Sequence, residues 1–293
     1  MGVSGAPLLT DDVCVPVIAL ENVVEMVRLI EHDRLMMTDV GGVFPELDTN
    51  ALHAIARVLD VYCGPGGWAR EVARLFPSIE VVGVDAAWAR INYARATARV
   101  LRLPNIEFHV MDVPGRFHFA DESFDMVSLR SVSNFVTAAD WPALLRECRR
   151  VLVPDGIVRV SESVTTCTNK VALEALLALD RQALFAAGLN FTPAGPIPGV
   201  TTVMTGLLRA AGFADVRLRA VASDFSYETA LHYGMVENLK MLLKLLQPFW
   251  LRCRVATQEQ IDALYEQALD EMQEPDFCGL ALGLTAWGKN GLS

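Results

Sequence analysis

The 293-residue chain has no Cys-x-x-Cys pair, no internal repeat and no low-complexity tract. It also has no run of about 18 apolar residues, so no membrane-spanning helix is expected. Its six cysteines (14, 63, 148, 167, 253 and 278) are scattered, and the spacing supports neither a zinc site nor a disulfide framework. We expect buried free thiols, no metal and a reducing, cytoplasmic setting. Positive charge is scarce: 25 Lys and Arg stand against 35 Asp and Glu, a formal net charge of −10. That balance argues against nucleic acid as a main partner, because phosphate-backbone binding needs clustered basic groups. The local cluster Arg146, Arg149 and Arg150 reads as a solvated helix face. The opening Met1-Gly2-Val3-Ser4-Gly5-Ala6-Pro7 lacks a basic segment and a long apolar one, so no secretory signal is expected.

Apolar content is what the chain has in quantity, at 52%. A chain of this length buries a substantial core, as one large α/β domain with insertions or as two modest domains. The surplus is available for an oily substrate pocket or a subunit interface, and a homodimer is allowed without any surface being specified.

The organising stretch is Arg57-Val58-Leu59-Asp60-Val61-Tyr62-Cys63-Gly64-Pro65-Gly66-Gly67-Trp68-Ala69. An apolar run ends in an acid, a glycine-rich turn follows, and a helical pattern begins. Glycine lets backbone approach a ligand closely, and a new helix presents unpaired N–H groups. The pattern predicts a cradle for a nucleotide-like molecule at the edge of a parallel sheet. Strand patterns ending in acids recur at Val81–Asp85 and Ile106–Asp112, with helices at 67–76, 88–101 and 141–152 and further strands at 124–129 and 157–161. This alternation predicts a parallel sheet covered by helices on both faces. Ahead of it, a helix from Glu21 to about Met37, with Val23, Val24, Val27, Ile30 and Leu35 among its apolar positions, reads as part of a lid over the cradle. After it, helices are expected at 168–189, 201–211, 226–247 and 257–273, with strands at 216–221 and 277–287 and a Pro/Gly loop at 192–199.

Together these residues resemble the class I S-adenosylmethionine (SAM)-dependent methyltransferases, in the small-molecule branch that includes ubiquinone/menaquinone-type enzymes. The ordered set Val58–Gly67, Val82–Asp85, Met111-Asp112, Asp121–Asp125 and Arg150–Gly156 carries the resemblance. It implies a Rossmann-like, doubly wound, seven-stranded, mostly parallel α/β sheet with an antiparallel last strand, plus helical cap insertions. The implied organisation is a helical lid over 1–56 and a methyltransferase domain over 57–293, with insertions at about 162–205 and 224–272. The cofactor would be SAM, leaving as S-adenosylhomocysteine (SAH). By the same resemblance Asp60 meets the ammonium, Gly64 and Gly66 pack on the ligand, and Asp85 takes the ribose hydroxyls. Asp112 and the Val113 N–H serve the adenine, Ala86 covers one adenine face, and Arg130 lines the methionine portion. Each acid taken alone has the plain alternative of a helix cap or turn. Tyr62 departs from the pattern, standing where the glycine series usually begins, and either edges the methionine pocket or packs on the lid.

Gly64–Ala69 also fits G-x-G-x-x-G/A with Asp85 about 20 residues on, so an NAD(P)-dependent oxidoreductase is the rival reading, and a SAM-binding protein without transfer activity is another. The resemblance implies methyl transfer to a small molecule, at O, N or C, by in-line displacement. The aromatic and aliphatic residues of the variable segments make a largely hydrophobic, apolar or aromatic metabolite the expected acceptor. The N-terminal segment and the insertions bring Phe44, Phe185, Phe191, Phe225, Tyr227, Tyr233, Phe249 and Trp250 as candidate pocket aromatics. Glu162, His232 and Tyr233 are the candidate polar groups for catalysis.

Overall fold

Five apolar-flanked residues, Arg57–Val61 (β1), form the centre of the sheet because every side chain after Arg57 is buried there. Such continuous burial is what a strand covered on both faces requires. The computed structural model describes residues 17–19, 21–113, 115–191 and 199–291. The N-terminal heptapeptide, Cys14 and the loop over 192–198 lie outside them.

Around β1 the sheet takes in Glu80–Asp85 (β2), Ile106–Val110 (β3), Phe124–Arg130 (β4), Leu152–Thr168 (β5), Phe213–Asp224 (β6) and Gly279–Asn290 (β7). Their order is β3-β2-β1-β4-β5-β7-β6. All neighbours run parallel except β7, which is antiparallel to both β5 and β6. This is the seven-stranded, mostly parallel arrangement expected, with the antiparallel strand inserted between its two partners. Strand order reverses between β1 and β4, and a crevice opens beyond the C-terminal ends at such a switch point. β5 continues past Ser161 to Thr168, paired with β7 throughout, so it is longer than its apolar core implied.

Helices Gly67–Leu75 (α3) and Trp88–Val100 (α4) cover one face, with Trp68, Val72, Ile91 and Ala94 packed on Val58 and Val81. Helices Trp141–Val151 (α5) and Met204–Ala210 (α7) cover the other, bringing Leu144, Cys148 and Leu208 against Leu59 and Val158. A third core joins Val171–Ala186 (α6), His232–Arg252 (α8) and Gln258–Glu271 (α9) around the fully buried Phe249 and Trp250. α9 starts with a complete capping box between Thr257 and Gln260. The short α2 (Thr49–His53) leads into β1. No helix among the described residues is long and apolar enough to cross a membrane.

Helix α1, Val23–Asp39, is capped by Asn22, whose side chain accepts from the Glu25 N–H. Its orientation differs from the apolar reading of its sequence. Val23, Val24 and Val27 are 65%, 52% and 49% exposed, while Glu25 and Arg28 are buried against α8. Charged residues are buried when paired, and this pair makes the inward face polar.

Candidate functional site

The glycine turn after β1 is held in left-handed backbone. Gly64 has φ +56 and Gly66 φ +75. A Cβ on Gly66 would meet the Phe108 ring at 2.7 Å, whereas one on Gly64 would meet nothing within 4 Å. Gly66 is thus required by packing, and Gly64 leaves open space beside the turn. Gly83 on β2 lets the same Phe108 lie flat, since a Cβ there would stand 2.5 Å from the ring.

Asp85, at the end of β2, organises this turn. One oxygen accepts from the Gly64 N–H at 3.0 Å and the other from the Ala87 N–H at 2.8 Å, with Arg90 3.8 Å away. A carboxylate has about four acceptor positions, so acceptor capacity remains for two hydroxyls. Asp60 is buried at the end of β1, and burial pushes its carboxyl up to about 7, against the pull of Arg130. A buried acid held near neutrality is a seat for a cationic group. Open space at Gly64, spare acceptors on Asp85 and a cation-seeking Asp60 fit a ligand carrying a diol and an ammonium.

Tyr62 adopts φ 59, unusual for a side chain of its size. Its hydroxyl donates to the Val113 carbonyl at 2.8 Å, and its ring stacks on Phe135 at 5.7 Å. Tyr62 therefore ties the turn to the segment after β3, where Asp112 is exposed and Val113 buried. Ala86 is half-buried beside Asp85. Arg130, at the end of β4, donates to Asp33 of α1 at 2.7 Å and lies 5.5 Å over the Trp68 ring.

Next to Arg130 a cavity of about 240 Å³ opens between α1, α8 and the ends of β5 and β7. Its apolar wall is aliphatic and sulfur-bearing: Leu29, Met36, Leu239, Leu242 and Leu284. None of the eight aromatics proposed from the insertions lines it. Phe44 packs on Trp68 and Phe76, Phe225 on Phe277, and Trp250 donates to Asp180. The cavity's aromatics are Trp68 and Phe135, which belong to the sheet domain.

Of the three polar candidates, Glu162 faces this cavity. It is buried, accepts from the Val132 N–H at 2.8 Å, and burial pushes its carboxyl up to about 7. The other two are not brought there. His232 packs between Tyr227 and Phe277 with Nδ1 on the Phe225 carbonyl, and Tyr233 is 78% exposed. Both sit at the start of α8, where the helix phase turns them away from the cavity reached by Met235, Asn238 and Leu242.

The structure adds groups the sequence reading passed over. Arg28 makes two bonds to Glu25, at 2.6 and 2.8 Å, and a third to the Asn238 Oδ1 at 3.1 Å. One turn on, His32 faces the same cavity with Nδ1 buried and without a partner. Burial, with Arg28 next, lowers its imidazole to about 4. Glu25, Arg28, His32 and Met36 share the 3–4 spacing of one helix face. That face was hidden because a valine-rich stripe lies beside it.

Residues 58–156 match a family model described as a methyltransferase domain. A ubiquinone biosynthesis O-methyltransferase of Neisseria meningitidis serogroup A is 33% identical over 102 residues, 35% of this chain and 42% of that protein. A trans-aconitate 2-methyltransferase of Variovorax paradoxus is 25% identical over 222 residues, 74% of this chain and 78% of that protein. Among solved structures, a protein of Bacillus halodurans C-125 provisionally assigned as a methyltransferase has a TM-score of 0.52 at 17% identity, covering 88% of this chain and 98% of that one. The chain spans between 24% and 42% of the length of the first curated relatives it matches.

Proposed function

We propose that this chain, whose residues 58–156 match a methyltransferase domain, moves a methyl group from SAM to a small molecule held in the cavity under α1 and α8. The carrying observation is the succession of Asp60, the glycine turn and Asp85 around open space, with a cavity next to Arg130. Asp60 would hold the ammonium, Asp85 the ribose hydroxyls, and Asp112 with the Val113 N–H the adenine, with Ala86 against its face. Gly64 and Gly66 would give backbone approach, Tyr62 would fix the adenine side through Val113, and Arg130 would line the methionine portion. SAM supplies an electrophilic methyl on a sulfonium.

The chain's own contribution is alignment and exclusion of water, which account for much of the barrier reduction when two reactants are held in line. Where the acceptor atom carries a proton, Glu162 would take it, since a carboxyl near 7 is matched to neutral pH. Residues up to 56 would act as the lid, with α6, α8 and α9 as the cap over the sheet domain. The small-molecule reading draws support from the names of the relatives above and from the cavity's size. A cavity of about 150 Å³ accepts benzene, so this one has room for a substituted ring or a short branched chain.

Calorimetric titration with SAH, SAM and NAD tests the reading. Saturable SAH binding with no NAD response is expected, together with a one-methyl mass gain on an acceptor incubated with SAM. Saturable NAD binding without SAH binding would overturn it in favour of an oxidoreductase. SAH binding without transfer to any acceptor in a broad screen would leave a SAM-binding protein.

A further inference from the structure

The cavity wall is more polar, and less evenly satisfied, than an apolar acceptor would call for. Three carboxylates already neutralise three of its arginines: Glu25 on Arg28, Asp33 on Arg130 and Glu46 on Arg159. Arg219, half-exposed on β6, is the one cavity arginine without such a partner among the described residues. Three buried groups of the wall are left over, the Arg159 Nη1 among them. The Asn238 amide spends its oxygen on Arg28 and keeps a buried Nδ2 with no acceptor, and the His32 Nδ1 is likewise buried and alone. Native proteins rarely leave such groups unpaired without a reason.

The Asn238 and His32 groups are complementary. Arg28 fixes the Asn238 amide by taking its oxygen, so the free end is an N–H donor. His32 lies one helical turn from Arg28 and lines the same cavity, on the same face of α1. With the ring hydrogen on Nε2, the neutral His32 Nδ1 accepts, and an amide N–H donates. A hydroxyl is the small group that gives a hydrogen to one and takes one from the other. A carboxylate would offer no hydrogen to His32, and Arg28, Arg130 and Arg159 each already hold a carboxylate partner.

We infer that the acceptor cavity recognises an uncharged hydroxyl, held between His32 and Asn238, on a molecule whose body packs against Leu29, Met36, Leu239 and Leu242. His32 and Asn238 are specificity residues in this scheme, set by the Glu25–Arg28 pair behind them. The inference rests on the cavity being the acceptor site of the proposed methyltransferase, but the hydroxyl preference itself is measured without turnover.

The experiment is calorimetric binding of 2-naphthol, 2-methoxynaphthalene and 2-naphthoate to the full chain, with and without SAH, in wild type and in the His32→Leu, His32→Gln and Asn238→Leu variants. Wild type is expected to prefer 2-naphthol over its methyl ether by about tenfold or more, since sites built to bond a hydroxyl reject analogues lacking it. In His32→Leu and Asn238→Leu the preference should fall below about threefold, with SAH affinity unchanged as a check on folding. His32→Gln, which restores an acceptor, should recover part of it. Equal affinities in wild type, no binding of 2-naphthol at its solubility limit, a preference surviving both leucine variants, or tightest binding of 2-naphthoate would each overturn the inference. A hydroxyl preference in a protein that does not bind SAH would support it while removing the methyltransferase reading. SAH binding without the preference would do the opposite.

Discussion

Titrating the protein with SAH at pH 6 and pH 7 reads the cradle through the proton on Asp60. Burial holds that carboxyl at about 7, well above its ordinary value of about 3.9. At pH 7 about half the ligand-free molecules therefore carry a proton there, and at pH 6 about nine-tenths do. An ammonium about 4 Å away contributes about 4 kcal/mol at an effective dielectric of about 20, equivalent to about three pKa units. The bound-state value falls to about 4, so binding releases about half a proton at pH 7 and about 0.9 at pH 6. The sign follows: the ligand favours the ionised carboxylate, so affinity rises with pH, by about fivefold between 6 and 7. The ligand's own amine stays protonated in this range. The assay is calorimetry in phosphate and in Tris, whose ionisation heats differ, with Asp60→Asn as control. Asp60→Asn should lose the proton release and about 1.5–3 kcal/mol of binding, the worth of a charged hydrogen bond. Heats independent of buffer and an affinity flat from pH 6 to 7 would refute the placement of a cation on Asp60. Release that persists in Asp60→Asn would transfer the effect to Glu162, the other carboxyl held near 7.

Further outcomes follow from the same geometry. Tyr62→Phe keeps the stack on Phe135 but loses the bond to the Val113 carbonyl, costing about 1 kcal/mol in urea unfolding. Gly83→Ala drives a Cβ into Phe108 and Cys63, so overpacking should cost about 1–3 kcal/mol by the same assay and weaken SAH binding through the displaced turn. Ligand-free stability should rise as pH falls from 8 to 5.5. Asp60 and Glu162, raised to about 7, take up protons on folding over that span, worth about 2 kcal/mol each, while His32, lowered to about 4, gives back about 1.4 kcal/mol below 6.5. A thermal midpoint that drops over this interval would contradict those placements.

The sheet was legible because its signals are local and repeated: near-continuous apolar strands, with a turn and a helix after β1, β2 and β4, placed β1 to β4 within a residue or two of their bounds. The glycine turn was legible for the same reason, since left-handed backbone and close packing leave glycine little competition. The acceptor side was not. Its wall is assembled from α1, α8 and two late strands, more than two hundred residues apart in sequence, and no local pattern reports such a meeting. Two assumptions also misdirected the reading. Aromatics were assigned to the pocket, yet Phe249 and Trp250 serve to join α6, α8 and α9. The first helix was read through its apolar positions alone, yet Glu25 and Arg28 satisfy one another and turn inward, leaving three valines outside. Pairing, which decides whether a charge is buried, depends on a partner the linear pattern does not show.

Arg130 stands between Asp33 of α1 and the Trp68 ring of α3, and a guanidinium has five N–H donors. Asp33 engages the Nη2 end, so the residue has donors to spare for a second anionic partner. If it takes one, occupancy of the cradle and seating of α1 become thermodynamically linked, and whatever firms one firms the other by the same factor. Loosening the latch with Asp33→Asn would then shorten the residence time of SAH as well as freeing α1. The slow step of turnover would belong to the departure of product from beneath a helix, rather than to the transfer itself.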